Sequence, residues 1–345
     1  MAGLRSELFR IGLSALWYSG VARLAEPFTR GLGTILMLHR VQPERTHGPF
    51  APNRVLSVTP EYLEALVARF RRDRIDILTL DDALLRLQSP ARGRPFVCFT
   101  ADDGYSDNYE HAFPIFRRHG APLTIYVTTG FVDATMPMWW HVLEVALAKR
   151  DRLSIRLDGS DLVLDANDID AKTRAFDALA PAFFRRTIPG VRALIGEIAD
   201  AAAIDPQAAC RDEVCTWAML EEMQRSGIVG IGCHTVNHSN LAIENDTDAR
   251  AEITIARDRI AAELGHQPRH FAYPYGKADH AGGREFSLAT EAGFATAVTT
   301  RKASLFAAHR EHLAALPRVE VTSSFAHSTH YLRAILSGLP VLWWS

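Results

Sequence analysis

Cysteine is scarce: four residues, at positions 98, 210, 215 and 233, in a chain of 345. So few cannot form a disulfide framework at this length, and the Cys210–Cys215 spacing has no second pair to complete a metal site. Cys98 and Cys233 sit in apolar runs, where a free cysteine acts as a small buried hydrophobe. Free thiols favour a reducing compartment, so a cytoplasmic location is expected. Charge of one sign is lacking too. Thirty-eight basic residues against 40 acidic leave a net charge of -2, which argues against nucleic-acid binding by bulk charge. Repeats, low-complexity tracts and blocks of like charge are absent, which excludes solenoids and disordered tails.

Long apolar runs are also missing. The uncharged stretch between Arg10 and Arg23 is 12 residues, too short for a bilayer span. Tyr18, Ser14, Ser19 and Gly20 make it a poor signal-peptide core. Residues 9–25 read instead as an amphipathic helix that packs on the domain or lies on a membrane surface. What remains is an ordinary globular composition, 48% hydrophobic and 23% charged, with material for a sizeable core.

Short β-branched or aromatic runs alternate with helical patterns. Strands are expected at 34–38, 96–101, 123–129, 228–233, 270–273 and 294–299, each apolar throughout, as in a parallel sheet buried on both faces. Helices are expected at 60–72, 80–88, 108–119, 216–226, 246–264 and 284–292. Gly120, Gly227, Gly265 and Gly293 are placed to cap four of them. This rhythm predicts an α/β fold, either a barrel or an open sheet. Residues 151–210 break it with a hairpin turning at Asp158–Gly159, then Ala-rich helical sequence interrupted by prolines. They read as an insertion on one face of the sheet, without a core of their own.

Four motifs close strand-like runs. Thr100-Ala101-Asp102-Asp103-Gly104-Tyr105 carries two adjacent carboxylates, which repel unless they share a cation or proton. His234-Thr235-Val236-Asn237-His238 spaces two histidines so that, in a helical turn, both could bind one ion. Two histidines and a carboxylate are the composition of a hydrolytic metal site. In Phe271-Ala272-Tyr273-Pro274-Tyr275-Gly276, Pro274 and Gly276 fix a loop whose N–H groups could face an oxyanion. Leu38-His39-Arg40-Val41 places a lone histidine at the end of the first strand. Trp139 and Trp140 open a helix, where such a pair either stacks on sugars or packs in a core.

Together these motifs resemble the polysaccharide deacetylases, the NodB-homology group of carbohydrate esterase family four. That family carries T-F-D-D-G, then H-[ST]-x-x-H, then a Pro-Tyr or Pro-Phe loop; here they stand in the same order as TADDG, HTVNH and YPYG. The resemblance covers about residues 34–322. It implies a distorted (β/α) barrel with a helical insertion, and a divalent metal ion, usually zinc. It implies an N-acetylhexosamine-containing glycan as partner and hydrolysis of the N-acetyl group. By motif match Asp103, His234 and His238 would hold the metal, Asp102 would be the general base, and the Tyr275 N–H would be the oxyanion donor.

The chain departs from the pattern at Ala101 and at Ala272, where the family has Phe and often an Arg that holds the base. Arg318, in LPRVEV, is the candidate to replace that arginine. The usual late leucine–histidine motif is not evident, and His327 and His330 do not match it. Some members carry Y-H-x-V before the Asp pair, which LHRV resembles, so His39 is expected to be the general acid. Pro274, Tyr275, Trp139 and Trp140 are the expected substrate contacts. The expected organisation is an N-terminal amphipathic helix region at 1–32, a deacetylase domain at 33–322 with its insertion at about 151–210, and a C-terminal helix and tail at 323–345. Two alternatives stand beside this reading. One is a metal amidohydrolase for a small non-sugar amide. The other is an inactive carbohydrate-binding relative, suggested by Ala101 and Ala272.

Overall fold

The computed structural model describes residues 17–89 and 93–322, with positions 11, 12, 14, 15, 334 and 336–338. Twelve strands are assigned among them: β1 (Gly33–Leu38), β2 (Arg40–Val41), β3 (Ser57–Val58), β4 (Asp76–Ile77), β5 (Phe96–Ala101), β6 (Leu123–Val127), β7 (Arg152–Leu157), β8 (Ser160–Asp165), β9 (Val229–Cys233), β10 (His270–Ala272), β11 (Thr296–Val298) and β12 (Val319–Glu320). The main sheet runs β11-β10-β9-β6-β5-β1-β12, all parallel, with β4 joined to β5. Its two edges meet. Val298 bridges to Leu316, Arg318 N–H donates to the Arg301 carbonyl, and the next residues, Val319 and Glu320, pair with β1. Of the barrel and the open sheet that the alternation allowed, the sheet is therefore the curled parallel barrel that the family resemblance implies.

Side chains divide by the period of two along each strand. Ile35, Cys98, Tyr126, Ala272, Val298 and Leu316 pack together in one cluster. Their neighbours Leu36, Val97, Phe99, Ile125, Ile231 and Phe271 pack in another, with residues of the surrounding helices. The helices begin and stop where local chemistry dictates. Thr59 accepts from Tyr62 N–H and Thr79 from Asp82 N–H at two N-termini, and Gly120, Gly227, Gly265 and Gly293 all take the left-handed conformation that ends a helix. The segment expected at 108–119 is a π turn, Asn108–Ala112, running into a helix at Phe113–His119.

The insertion departs from expectation. Its hairpin β7–β8 turns at Asp158 and Gly159, both with positive φ. Yet the segment does have a core of its own. Leu143, Leu147, Leu153, Leu179, Leu194 and Ile198 are buried together, with helices Trp139–Lys149, Ile169–Phe184 and Ile188–Ala202 around them. The Ala-rich sequence hid this, because its leucines and isoleucines are spread over three helices and a strand.

The N-terminal helix also differs. Described residues up to Tyr18 are helical, a break follows at Ser19–Gly20, and the helix restarts at Val21–Thr29. Ala22 is fully buried against the body, so the packing reading holds for one face. No helix among the described residues is long and apolar enough to cross a membrane. The expected C-terminal helix at 323–345, with His327 and His330, lies almost wholly outside the described residues.

Two glycines of β9 give a test of interior packing. A Cβ at Gly230 would meet Thr124 Oγ1 at 3.7 Å, an ordinary contact. One at Gly232 would meet the Tyr126 ring at 2.5 Å and the His270 carbonyl at 3.0 Å. Gly232→Ala is expected to cost ~1–3 kcal/mol in urea unfolding, as overpacking does, and Gly230→Ala to leave the midpoint nearly unchanged.

Candidate active site

Every parallel strand of the barrel ends on the same side, and the four motifs sit there. His39 follows β1, Asp102 and Asp103 follow β5, His234 follows β9, and Tyr275 stands three residues after β10. They border one cleft of about 550 Å³, which Trp139 and Trp140, from the helix leading into the insertion, and Phe184, from the insertion, also line.

The loops reach this arrangement through unusual backbone. Asp103, Thr235, His238 and Tyr275 all have positive φ, at 74°, 64°, 54° and 61°. Such non-glycine conformations cost of order 1–3 kcal/mol each, and they cluster here because the surroundings fix them. The His loop is not the helical turn that the i, i+4 spacing suggested; it is irregular from His234 to Asn240. Positive φ at Thr235 and His238 brings the two rings to 4.9 Å between centroids. Glu252 holds the loop from below, accepting from Asn237 N–H and Asn237 Nδ2 at 2.8 and 2.5 Å. Nothing in the local sequence marked Glu252, because its partner lies 15 residues away and the contact needs the fold.

The Asp103, His234 and His238 side chains converge. Their candidate ligand atoms all lie within 4.8 Å of one another. His234 Nε2 and His238 Nε2 stand 3.5 and 3.3 Å from Asp103 Oδ1. Oδ1 is buried with no hydrogen-bond partner. His234 Nδ1 lies 2.7 Å from the Ala272 carbonyl, which can only accept, so Nδ1 carries a proton and Nε2 is the nitrogen turned toward Asp103. A buried unpaired carboxylate oxygen facing two imidazole nitrogens fits a divalent cation. Burial lowers the His238 pKa and favours the neutral ring that a ligand needs. Burial would raise Asp103, but its contacts with His234 and His238 outweigh this and hold the carboxyl well below the ordinary range.

Asp102 has a different environment. Arg318 Nη1 and Nη2 donate to its two oxygens at 2.6 and 2.7 Å, a bidentate pair with both groups buried. Arg318 also donates from Nε to the Thr299 carbonyl and from Nη1 to Thr100 Oγ1. Burial opposes ionisation of Asp102, yet Arg318 keeps its pKa below the usual value. The partner of Asp102 thus comes from the segment just before β12, 216 positions along the chain.

His39 shares the cleft with both aspartates, and its carbonyl accepts from Asn108 Nδ2 at 2.9 Å. The Tyr275 N–H has no hydrogen-bond partner among the described residues, as an oxyanion donor requires. Its ring stands edge-on to His238 at 4.7 Å. Of the other expected substrate contacts, one lies outside the cleft and two line it closely packed. Pro274 is buried and does not border the cleft, because its place in the loop turns the ring inward. Trp139 and Trp140 border the cleft but offer no open platform. They are 6% and 7% exposed; Trp139 stacks on Phe183 at 4.3 Å, and Trp140 stands edge-on to His238 at 5.0 Å. Their indole N–H groups bind Tyr275 and Tyr105 hydroxyls. Lys277 and Lys302, from loops, and Asn53, from the short 3-10 helix Pro52–Leu56, also line the cleft and carried no sequence signal, being single polar residues outside any motif.

The sequence model of the family described as polysaccharide deacetylase matches residues 90–155 and 158–296, more than half of the chain. No curated protein matches it. Among solved structures, it is similar to the Streptococcus pyogenes deacetylase PplD in complex with acetate, at 17% identity and TM-score 0.54, covering 84% of this chain and 92% of that one. It is similar to IcaB from Ammonifex degensii at 17% and 0.54, covering 88% and 97%. A polysaccharide deacetylase from Bacillus cereus matches at 16% and 0.53, covering 88% and 68%. These likenesses are of fold.

The buried ion pair gives a direct test. Arg318→Met strands the Asp102 charge and is expected to destabilise the protein by ~3–5 kcal/mol in chemical unfolding. Pairing it with Asp102→Leu is expected to recover most of that loss, which a purely steric role for Arg318 would not allow.

Proposed function

The chain belongs to the polysaccharide deacetylase family, whose members are hydrolases of N-acetyl amide bonds, and on that premise we propose that it removes the acetyl group from N-acetylhexosamine units of a glycan in a zinc-dependent reaction. The observation that carries this reading is the meeting of Asp103, His234 and His238 beside an aspartate kept ionised by Arg318.

Asp103, His234 and His238 would hold the ion. When bound, a divalent cation supplies Lewis acidity toward the acetyl carbonyl and lowers the pKa of the attacking water. Asp102 takes the proton of that water as it adds to the carbonyl carbon. Arg318 aids this by fixing the orientation of the carboxylate and holding it charged beforehand. The Tyr275 N–H donates to the carbonyl oxygen as negative charge grows on it. His39 then delivers a proton to the nitrogen as the C–N bond breaks, releasing acetate and the free amine. Trp139, Trp140 and Phe184 exclude water from one side of the cleft, which strengthens these interactions.

Acetate release should be measured over a panel of N-acetylhexosamine glycans. Chelation is expected to abolish it and added zinc to restore it. Asp103→Ala and His238→Ala are expected to lose bound metal by elemental analysis. Asp102→Asn is expected to retain metal while turnover falls ~10²–10⁴-fold. Metal loss in that variant would make Asp102 a ligand and reverse the two aspartate roles. His39→Gln is expected to keep fold and metal and to lose a similar factor. A near-normal rate would remove His39 from the reaction.

A further inference from the structure

The N-terminal helix is turned the wrong way for a helix that merely packs on a barrel. A surface helix normally buries its apolar stripe. Here Val21, Leu24 and Phe28, at i, i+3 and i+7, share one face and are 47%, 79% and 84% exposed. Toward the body the segment is held by the buried Ala22, by Trp17 ahead of the break, which packs on the main core, and by Thr29 Oγ1, which donates to the Ser337 carbonyl. Of the ten large apolar side chains found exposed among the described residues, five lie between Ile11 and Phe28. This concentration is beyond the scattered exposure normal for a surface.

Charge accompanies it. Phe28 borders a hollow of about 320 Å³ whose lining includes Arg30, Arg86, Arg94 and Arg310 and no carboxylate. Their acidic partners, Glu26, Asp76 and Glu311, lie 2.8–3.9 Å from them but do not line the hollow. The Arg94 and Arg310 side chains are 67% and 57% exposed.

We infer that this end of the barrel docks on an anionic lipid bilayer. The ridge Val21, Leu24 and Phe28 enters the headgroup boundary, and the four guanidinium groups meet lipid phosphates. Apolar burial combined with cationic attraction is how interfacial helices bind. A second copy of the chain fits the face poorly, because a two-fold contact would set each arginine cluster near its own counterpart. The docking face adjoins the start of β1 at Gly33, and His39 stands past its other end. The cleft therefore opens away from the bilayer. If the proposed function holds, the sugars it acts on extend from the surface rather than lie at headgroup depth.

The test is flotation of the full chain with vesicles of phosphatidylcholine alone or with one third phosphatidylglycerol, at low and high salt. Binding is expected only to the anionic vesicles and to weaken with salt. Leu24→Glu with Phe28→Glu is expected to reduce binding at least about tenfold, with the thermal midpoint retained. Arg94→Ala with Arg310→Ala is expected to weaken it about fivefold per residue. The readout needs no turnover, so it stands or falls apart from the deacetylase reading. Absence of wild-type binding, or equal binding by the apolar-face variant, overturns the inference. A dimer in solution that Leu24→Glu with Phe28→Glu dissociates assigns the face to a second copy instead.

Discussion

A guanidinium inside a barrel has few ways to be satisfied, and Arg318 uses nearly all of them. It is fully buried, with two donors on Asp102, one on the Thr299 carbonyl and one contact to Thr100 Oγ1. Desolvating two charges is costly, and only close bidentate geometry with further hydrogen bonds compensates it. The bonds tie the end of β5 to the segment that closes the sheet between β11 and β1. Barrel closure and the charge of Asp102 thus depend on the same side chain. Moving the closing segment would leave an aspartate in an apolar interior, where it would take up a proton.

The neighbouring carboxylate meets the opposite condition. Asp103 has no arginine, and its Oδ1 faces two imidazole nitrogens with no hydrogen-bond partner. Adjacent residues of one loop therefore differ in environment: one is paired with a fixed cation, and the other faces two imidazoles without a hydrogen-bond partner. Positive φ at Asp103 is what separates the two side chains, and it persists because Gly104 and Tyr105 are pinned by the exit of the insertion. Cys215 N–H donates to the Gly104 carbonyl, and Tyr105 bridges Val214. The insertion, through the apolar core it shares with the helix before it, is part of what holds the aspartate loop in shape.

Much of this was legible in the sequence. Runs such as 96–101 and helices such as 60–72 match the observed elements, because strong periodicity and capping residues act locally. The order of the motifs marked the aspartate and histidine loops, and strand ends on one side of a barrel bring them together whatever their separation. The failures were of long-range origin. The core of the insertion could not be seen, since its leucines join only after three helices pack. The histidine spacing suggested a helical turn, and Glu252 made it a loop instead. Pro274 looked like a cleft residue from its motif, but its burial away from the cleft is a property of the whole fold.

The sequence by itself determined the alternation of strands and helices, the loops that carry the aspartate and histidine pairs and the apolar stripe near the N-terminus, since each is written in residue types a few positions apart. Tertiary structure alone decided the partner of each charged group. It set Arg318 against Asp102 across 216 positions, left Asp103 beside two histidines, and turned Val21, Leu24 and Phe28 outward. The physical reason is the same in each case: an ionised or apolar side chain takes its energy from what surrounds it, and those surroundings exist only once distant segments meet.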